Sequence, residues 1–286
     1  MRSSVFFVEI KTSICYNNYN YIIGGEFLRI LAIGDVCGSG GCNKLLKHLP
    51  QLKREYGVDF TVVNGENSDD ANCISPTSAD LLFKAGADVI TGGYHTLRRK
   101  DFHPYLDSQP GLLRPHNIPA DYGSGYCLVD KGYCQVAVIN LMGQIYLENQ
   151  KASNPFICAD ELVDRAKAGG ASIILVYYHA EATSEKRALG YHLDGRVSAV
   201  FGTHTHVQTA DVQLLPCGTA YITDLGMTGP ACSILGVDKD IIIDRLKNGG
   251  TAKFVFADGD SQIQGMLFDA DPKTGLATDP RLVCIK

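Results

Sequence analysis

Five apolar runs, each stopping at a short polar segment, constrain this chain more than any other feature. The runs are Ile30-Leu31-Ala32-Ile33, Phe60-Thr61-Val62-Val63, Asp88-Val89-Ile90, Ile173-Ile174-Leu175-Val176 and Val197-Ser198-Ala199-Val200. Each reads as a strand buried on both faces, as in a parallel sheet covered by helices. The polar tips are Gly34-Asp35, Asn64-Gly65-Glu66-Asn67, Gly93-Tyr94-His95, Tyr178-His179-Ala180-Glu181 and Gly202-Thr203-His204-Thr205-His206. Sheets of this kind bind ligands beyond the carboxyl ends of their strands, so side chains from all five tips can meet. What meets is Asp, Glu, Asn and several His, a mixed oxygen and nitrogen set suited to a pair of divalent metals.

A chain of 286 residues with 45% hydrophobic content can bury a sizeable core. The net charge of -5 argues against sequence-independent nucleic-acid binding, which needs a basic face. A small phosphorylated ligand remains compatible, because bound metal supplies positive charge that residue counts ignore. The ten cysteines show no CxxC pair or dense scaffold spacing, and several sit inside apolar runs, where a reduced thiol packs as a small hydrophobe. That pattern reads as a cytoplasmic protein. Cys37 and Cys42, beside the first polar tip, read as loop and helix-packing residues.

Residues 1–27 differ from the rest: they are rich in Tyr and Asn, without sustained periodicity and without a convincing signal peptide. Gly24-Gly25-Glu26 is what a purine-rich ribosome-binding sequence encodes in frame, and Leu28 can correspond to a TTG start codon. The expectation is a non-native or disordered extension over 1–27 and a single domain over 28–286. No membrane-spanning stretch and no internal repeat is evident.

From residue 28 the order is strand, helix, strand, helix, strand, a mixed middle, and a second strand-helix series. Leu45, Leu46, Leu49 and Leu52 mark one helix, and Pro76 opens another. Tyr126–Val129 and Gln135–Asn140 form a hairpin, and Ala159–Ala168 a helix ending at Gly169-Gly170. Ala252–Phe256, Gln262–Phe268 and Leu282–Ile285 read as antiparallel strands. The expected architecture is two mixed sheets face to face with helices outside, the site along one rim.

Asp35 is a hard oxygen donor at a strand end, with a helix N-cap as its plainer alternative. Glu66 and Asn67 are two adjacent polar groups at the end of a buried strand, costly unless paired or coordinated. His204 and His206 share one face of an extended segment, so both rings can reach neighbouring metals. His179 ends its own strand. His95 reads either as a ligand or as a general acid beside the metals. His48, His103, His116 and His192 read as surface or structural residues.

With Gly34-Asp35, Asn64-Gly65-Glu66-Asn67, Leu113-Arg114-Pro115, His179-Ala180-Glu181-Ala182-Thr183-Ser184-Glu185-Lys186, the stretch from Gly202 to Asp211 and Thr223-Asp224-Leu225-Gly226-Met227-Thr228-Gly229-Pro230, the chain resembles the YmdB-type branch of the calcineurin-like metallophosphoesterases. The resemblance implies a four-layer α/β/β/α sandwich with a dinuclear Fe, Mn or Mg site. Asp35, Glu66, Asn67 and His206 would serve one metal; Glu66 would bridge to a second held by His179 and His204. It implies hydrolysis of small phosphodiesters, 2′,3′-cyclic nucleotides above all, by a hydroxide shared between the metals, with His95 at the leaving oxygen. A homo-oligomer is compatible with it.

The family pattern has Gly-Asn-His at the third tip, the Asn oxygen being a ligand of the second metal; here the segment is Gly93-Tyr94-His95. A neutral phenol is a poor ligand, which weakens the second site. Tyr94 turns outward, or binds as phenolate to ferric iron, or Asp69 or Asp70 supplies the missing oxygen. Arg98, where an acidic residue is expected, is either a phosphate contact or a solvated helix residue. Three functions follow: a metal-dependent phosphodiesterase, a catalytically weakened regulatory or binding protein of the same fold, or a phosphomonoesterase.

Overall fold

The computed structural model describes residues 27–286, so the expected extension over 1–27 lies, Phe27 apart, outside the described residues. β1 (Leu28–Ile33) is followed by β2 (Asp35–Val36), α1 (Gly38–Tyr56), β3 (Phe60–Asn64), α2 (Pro76–Ala85), β4 (Val89–Thr91) and α3 (His103–Ser108). β5 (Tyr126–Asp130) and β6 (Gln135–Met142) form an antiparallel hairpin. Then come α4 (Pro155–Ala168), β7 (Ile173–His179), α5 (Thr183–His192), β8 (Ala199–Thr203), β9 (Gln213–Leu214) and β10 (Ala220–Ile222). β11 (Met227–Pro230), α6 (Lys239–Asn248), β12 (Ser261–Ala270) and β13 (Ala277–Ile285) complete the series.

One sheet has the order β2-β11-β12-β1-β3-β4, with β13 paired to β12; the other runs β5-β6-β7-β8-β10-β9. Both are mixed. β1, β3 and β4 run parallel, as do β6, β7, β8 and β10. Their carboxyl ends therefore lie on common rims.

Strand alternation builds the layers. Ile30, Ala32, Phe60 and Val62 face Val138, Leu175, Tyr177 and Phe201 of the other sheet in one apolar core. Leu31, Ile33 and Val63 point the opposite way, against Leu45 and Leu49 of α1 and Leu82 of α2. On the far side Ala137, Ile139 and Val176 pack on Leu162 and Val163 of α4 and Leu189 of α5. The result is the α/β/β/α sandwich. Tyr177 ties the two sheets together, its buried hydroxyl donating to the Ile33 carbonyl at 2.8 Å.

Local signals set the helix ends. Ser75 caps α2 through a reciprocal bond with Ser78, and Pro76 fits its first turn. α4 begins at Pro155, ahead of the expected Ala159, because the Asn154 side chain accepts from Phe156 N and Ile157 N. One expected strand is corrected: 252–256 forms no ladder. It makes only an isolated bridge, between Val237 and Phe256, while the expected strands over Gln262–Phe268 and Leu282–Ile285 form within β12 and β13.

All nine cysteines among the described residues are free. No helix among the described residues is long and apolar enough to cross a membrane.

Candidate metal centre

Asp35, Glu66, His95, His179, His204 and His206 come from five different strand ends and gather at one rim. Asp35 is fully buried and Glu66 and His179 are each 1% exposed. These three each offer one donor atom, all within 4.8 Å of one another.

The contacts in this cluster fall into two groups. In one, Asp35 Oδ1 lies 3.9 Å from His206 Nε2, and the Asn67 amide nitrogen donates to the same ring nitrogen at 3.1 Å. His206 Nδ1 donates to the Leu235 carbonyl at 3.0 Å, which leaves Nε2 as a lone pair facing the site. In the other, Glu66 Oε2 lies 2.7 Å from His179 Nε2, and that nitrogen lies 3.1 Å from His204 Nδ1. The outward nitrogens are occupied: His179 Nδ1 faces Thr203 Oγ1 at 3.0 Å and His204 Nε2 faces Glu181 Oε2 at 3.0 Å. Both inward nitrogens are thereby left as acceptors, the tautomers that metal-binding histidines adopt.

Asp35 Oδ1 and Glu66 Oε2 are buried oxygens with no hydrogen-bond partner. Buried anionic acceptors crowded against imidazole lone pairs are unfavourable by themselves and form a donor set for cations. Burial lowers the His179 imidazole to about 4 and the His204 imidazole to about 3, so both rings are neutral near pH 7. Burial also raises the Asp35 carboxyl. His206 departs upward: burial pulls it down, but Cys37, Asp35 and the Leu235 carbonyl outweigh that pull, so its Nε2 lone pair is open to a cation only once the ring gives up its second proton. A Cβ at position 93 would fall 2.2 Å from Glu66 Oε2, so the glycine before Tyr94 makes room for the carboxylate.

The backbone around His204 and His206 is held in left-handed conformations, φ 101° and 60°. Carboxylates hold it there. Asp35 Oδ2 accepts from His204 N at 3.1 Å, and Asp224 Oδ2 accepts from Thr205 N at 3.0 Å and Thr205 Oγ1 at 2.8 Å. Lys186 Nζ closes the network 2.8 Å from Asp224 Oδ2.

Residues 31–282 match the profile of the YmdB-like protein family. The chain belongs to that family. It is 45% identical to a 2′,3′-cyclic-nucleotide 2′-phosphodiesterase of Bacillus subtilis (strain 168), over 86% of this chain and 93% of that protein. Its structure resembles that of a novel phosphatase from Mycoplasma pneumoniae, with TM-score 0.85, 32% identity, and coverage of 91% of this chain and 93% of that one. A hypothetical protein from Thermus thermophilus superposes with TM-score 0.80 at 34% identity, covering 91% of this chain and 100% of that one. The metallophosphoesterase-type fold of the YmdB-like family implies divalent metal ions, and the buried Asp35, Glu66 and His179 offer donors for them.

Tyr94 sits among the histidines. Its ring centroid is 4.2 Å from that of His95 and 6.2 Å from those of His179 and His204. Burial and the Glu66 charge raise its phenol, so it stays protonated. Asp69 Oδ1 accepts from Ala71 N at 2.9 Å and Asp70 Oδ1 from Ser39 N at 2.7 Å, and Asp70 also lines the cavity over the cluster. Arg98 is exposed, its guanidinium 5.5 Å from the Tyr94 ring centroid and Nη1 3.4 Å from the Asn72 carbonyl.

His95 is 8% exposed; its backbone N–H donates to Glu66 Oε1 at 2.9 Å and its Nδ1 meets Asn67 Oδ1 at 2.7 Å. Sequence alone gives no role to the supporting residues Thr203, Glu181, Lys186 and Asp224. The segments carrying them were conspicuous, but their pairing with the histidines depends on the fold. Arg114, conspicuous for the same reason, donates to the carbonyls of Pro115, Ile118, Ala120 and Tyr122 and shapes that loop.

Proposed function

We propose that the chain is a metal-dependent phosphodiesterase acting on 2′,3′-cyclic nucleotides, with a pair of divalent cations (Fe, Mn or Mg) at the rim. Asp35, Asn67 and His206 would hold one, His179 and His204 the other, and Glu66 would bridge them. When bound, such a pair supplies Lewis-acid polarisation of a phosphoryl oxygen and a water acidic enough to react near pH 7. The observation that carries the reading is the meeting of two partnerless buried carboxylate oxygens with inward-facing ring nitrogens.

The remaining steps belong to the protein. Asp35 and Asp224 hold the backbone of 204–206 so that both rings keep their aim. Glu181 keeps the His204 proton on the outward nitrogen. His95 lines the same cavity as the ligands; burial lowers its imidazole to about 4, so near pH 7 the neutral ring would offer the leaving ribose oxygen a hydrogen bond rather than a transferred proton. A half-turn of the Asn67 amide exchanges its two polar atoms, facing its NH2 to His95 Nδ1 and its oxygen to His206 Nε2. In that orientation the His95 N–H sits on Nε2, free to donate that hydrogen bond.

Supporting this reading, 28–286 would act as a single metallophosphoesterase domain in the cytoplasm on a small nucleotide. The test is manganese-supported hydrolysis of 2′,3′-cyclic AMP, lost in Asp35→Ala and His204→Ala. Undiminished turnover in strong chelator, or none with any metal, overturns it. Tyr94 favours one alternative, a protein with a weakened second site and a regulatory role; a single tightly held metal per chain would support that. A phosphomonoesterase would share the metals and differ in preferring monoesters across a substrate panel.

A further inference from the structure

The cavity over the metal-binding cluster, about 200 Å³, has two unlike walls. One is polar: Glu66, His95, His204 and His206. The other is built from the excursion between β11 and β12, through Leu235, Val237, Phe254 and Phe256. Phosphodiester hydrolysis needs only the polar wall. The apolar one calls for a different part of the substrate.

The excursion is a discrete flap. Its neck is closed by Ala231 N donating to the Asp260 carbonyl at 2.9 Å, and its two limbs are laced by Asp238 N to Val255 O and Ala257 N to Gly236 O. Its helix α6 contributes no buried residue. The flap also reaches the metal-binding cluster directly, since the Leu235 carbonyl receives the His206 Nδ1 proton.

Two aromatic rings on the flap are held in place. Phe256 lies against two glycines with left-handed backbones: a Cβ on Gly38 would fall 2.7 Å from its ring, and one on Gly236 3.4 Å from it. Phe254 is 46% exposed, with the Arg245 guanidinium 4.4 Å from its ring centroid. A ring braced by a cation on one side while lining a cavity offers its other side for stacking. At the same rim lies Asn72, whose side-chain amide makes no hydrogen bond among the described residues. Such an amide can read the polar edge of a base. An alkyl chain would leave it unmatched.

We propose that this flap is a nucleobase-recognition element, with Phe254 and Phe256 stacking on the base of a nucleoside 2′,3′-cyclic phosphate whose phosphate lies at the metal-binding cluster. This rests on the phosphodiesterase reading above and adds the part of the substrate that the cluster does not address.

The test compares manganese-loaded protein on 2′,3′-cyclic AMP and on methyl ribofuranoside 2′,3′-cyclic phosphate, which lacks the base. Stacking on the flap predicts a kcat/KM preference for the base-bearing substrate of about tenfold or more. Phe254→Ala should shrink that ratio towards one, and Phe254→Trp should keep it. Equal use of the two substrates by the unaltered protein, or an unchanged ratio in Phe254→Ala, overturns the proposal. Binding separates it from the hydrolytic reading. A protein that hydrolyses neither diester but holds adenosine 3′-phosphate more tightly than ribose 3-phosphate sinks that reading and supports the base site. Equal binding of those two ligands sinks the base site.

Discussion

Lys186 Nζ lies 2.8 Å from Asp224 Oδ2, and both side chains are 1% exposed. The pair joins α5 to the segment after β10, and the same carboxylate oxygen holds Thr205 by both its N–H and its hydroxyl. Thr205 stands between His204 and His206, each with a positive φ. An ion pair that touches neither ring thus fixes the aim of both histidines.

Removing one member should damage stability and metal binding together. Lys186→Met leaves a buried carboxylate unpaired, at a cost of about 3–5 kcal/mol in urea unfolding. Lys186→Met combined with Asp224→Leu should recover much of that stability, since apolar replacement of a whole buried pair is often neutral. It should not recover metal affinity, because Thr205 stays unheld. Recovery of both in a metal-binding isotherm would show the pair to be structural only.

Glu181 contacts His204 at Nε2, 3.0 Å away. Its side chain is 47% exposed, so Glu181→Ala should change folding stability by no more than about 0.5 kcal/mol. Metal affinity should fall about 10- to 100-fold, with Glu181→Gln intermediate because its amide oxygen still accepts the ring proton. Calorimetric titration with manganese distinguishes these outcomes.

The metal-free protein carries an electrostatic cost at Asp35. Desolvation raises that carboxyl, and its Oδ1 has no hydrogen-bond partner. Asp35→Asn should therefore unfold at a higher temperature than the unaltered protein when both are stripped with chelator. Adding manganese should reverse the order, because a ligand at a hundred times its Kd stabilises by about 2.7 kcal/mol. A thermal melt of both proteins with and without metal gives all four values; an Asp35→Asn protein less stable than its parent in chelator would contradict the account.

The rim was legible because a buried parallel strand leaves a plain signature and its carboxyl end is a fixed place. Asp35, Glu66, His95, His179, His204 and His206 could be collected from strand ends without any contact information. Lys186 and Asp224 could not. Their partnership spans 38 residues, and a lone Lys on a helix reads as solvated until the helix is seen packed over β8. Asp69 and Asp70 show the converse. A carboxylate beside a site looks the same in sequence whether it ligates a cation or caps a turn, and here both accept backbone N–H groups. The flap wall escaped for a different reason: 252–256 has strand-like composition, but its neighbours are loop residues of the same excursion rather than a sheet edge.

In the proposed pair of cation sites, Tyr94 sets how complete the second half-site is. Its hydroxyl makes no hydrogen bond among the described residues, while its ring packs edge-on against His95. Burial and Glu66 raise the phenol, which disfavours an anionic donor beside Glu66, His179 and His204 while no cation is bound. Tyr94→Phe removes the hydroxyl and keeps the ring; metal content should be unchanged. Tyr94→Asn replaces the ring by an amide whose oxygen is a competent donor to a divalent cation. It should raise the second metal's occupancy, measured by elemental analysis after dialysis, and raise turnover with it. If Tyr94→Phe instead loses metal, the hydroxyl itself is a ligand and the half-site is complete as it stands.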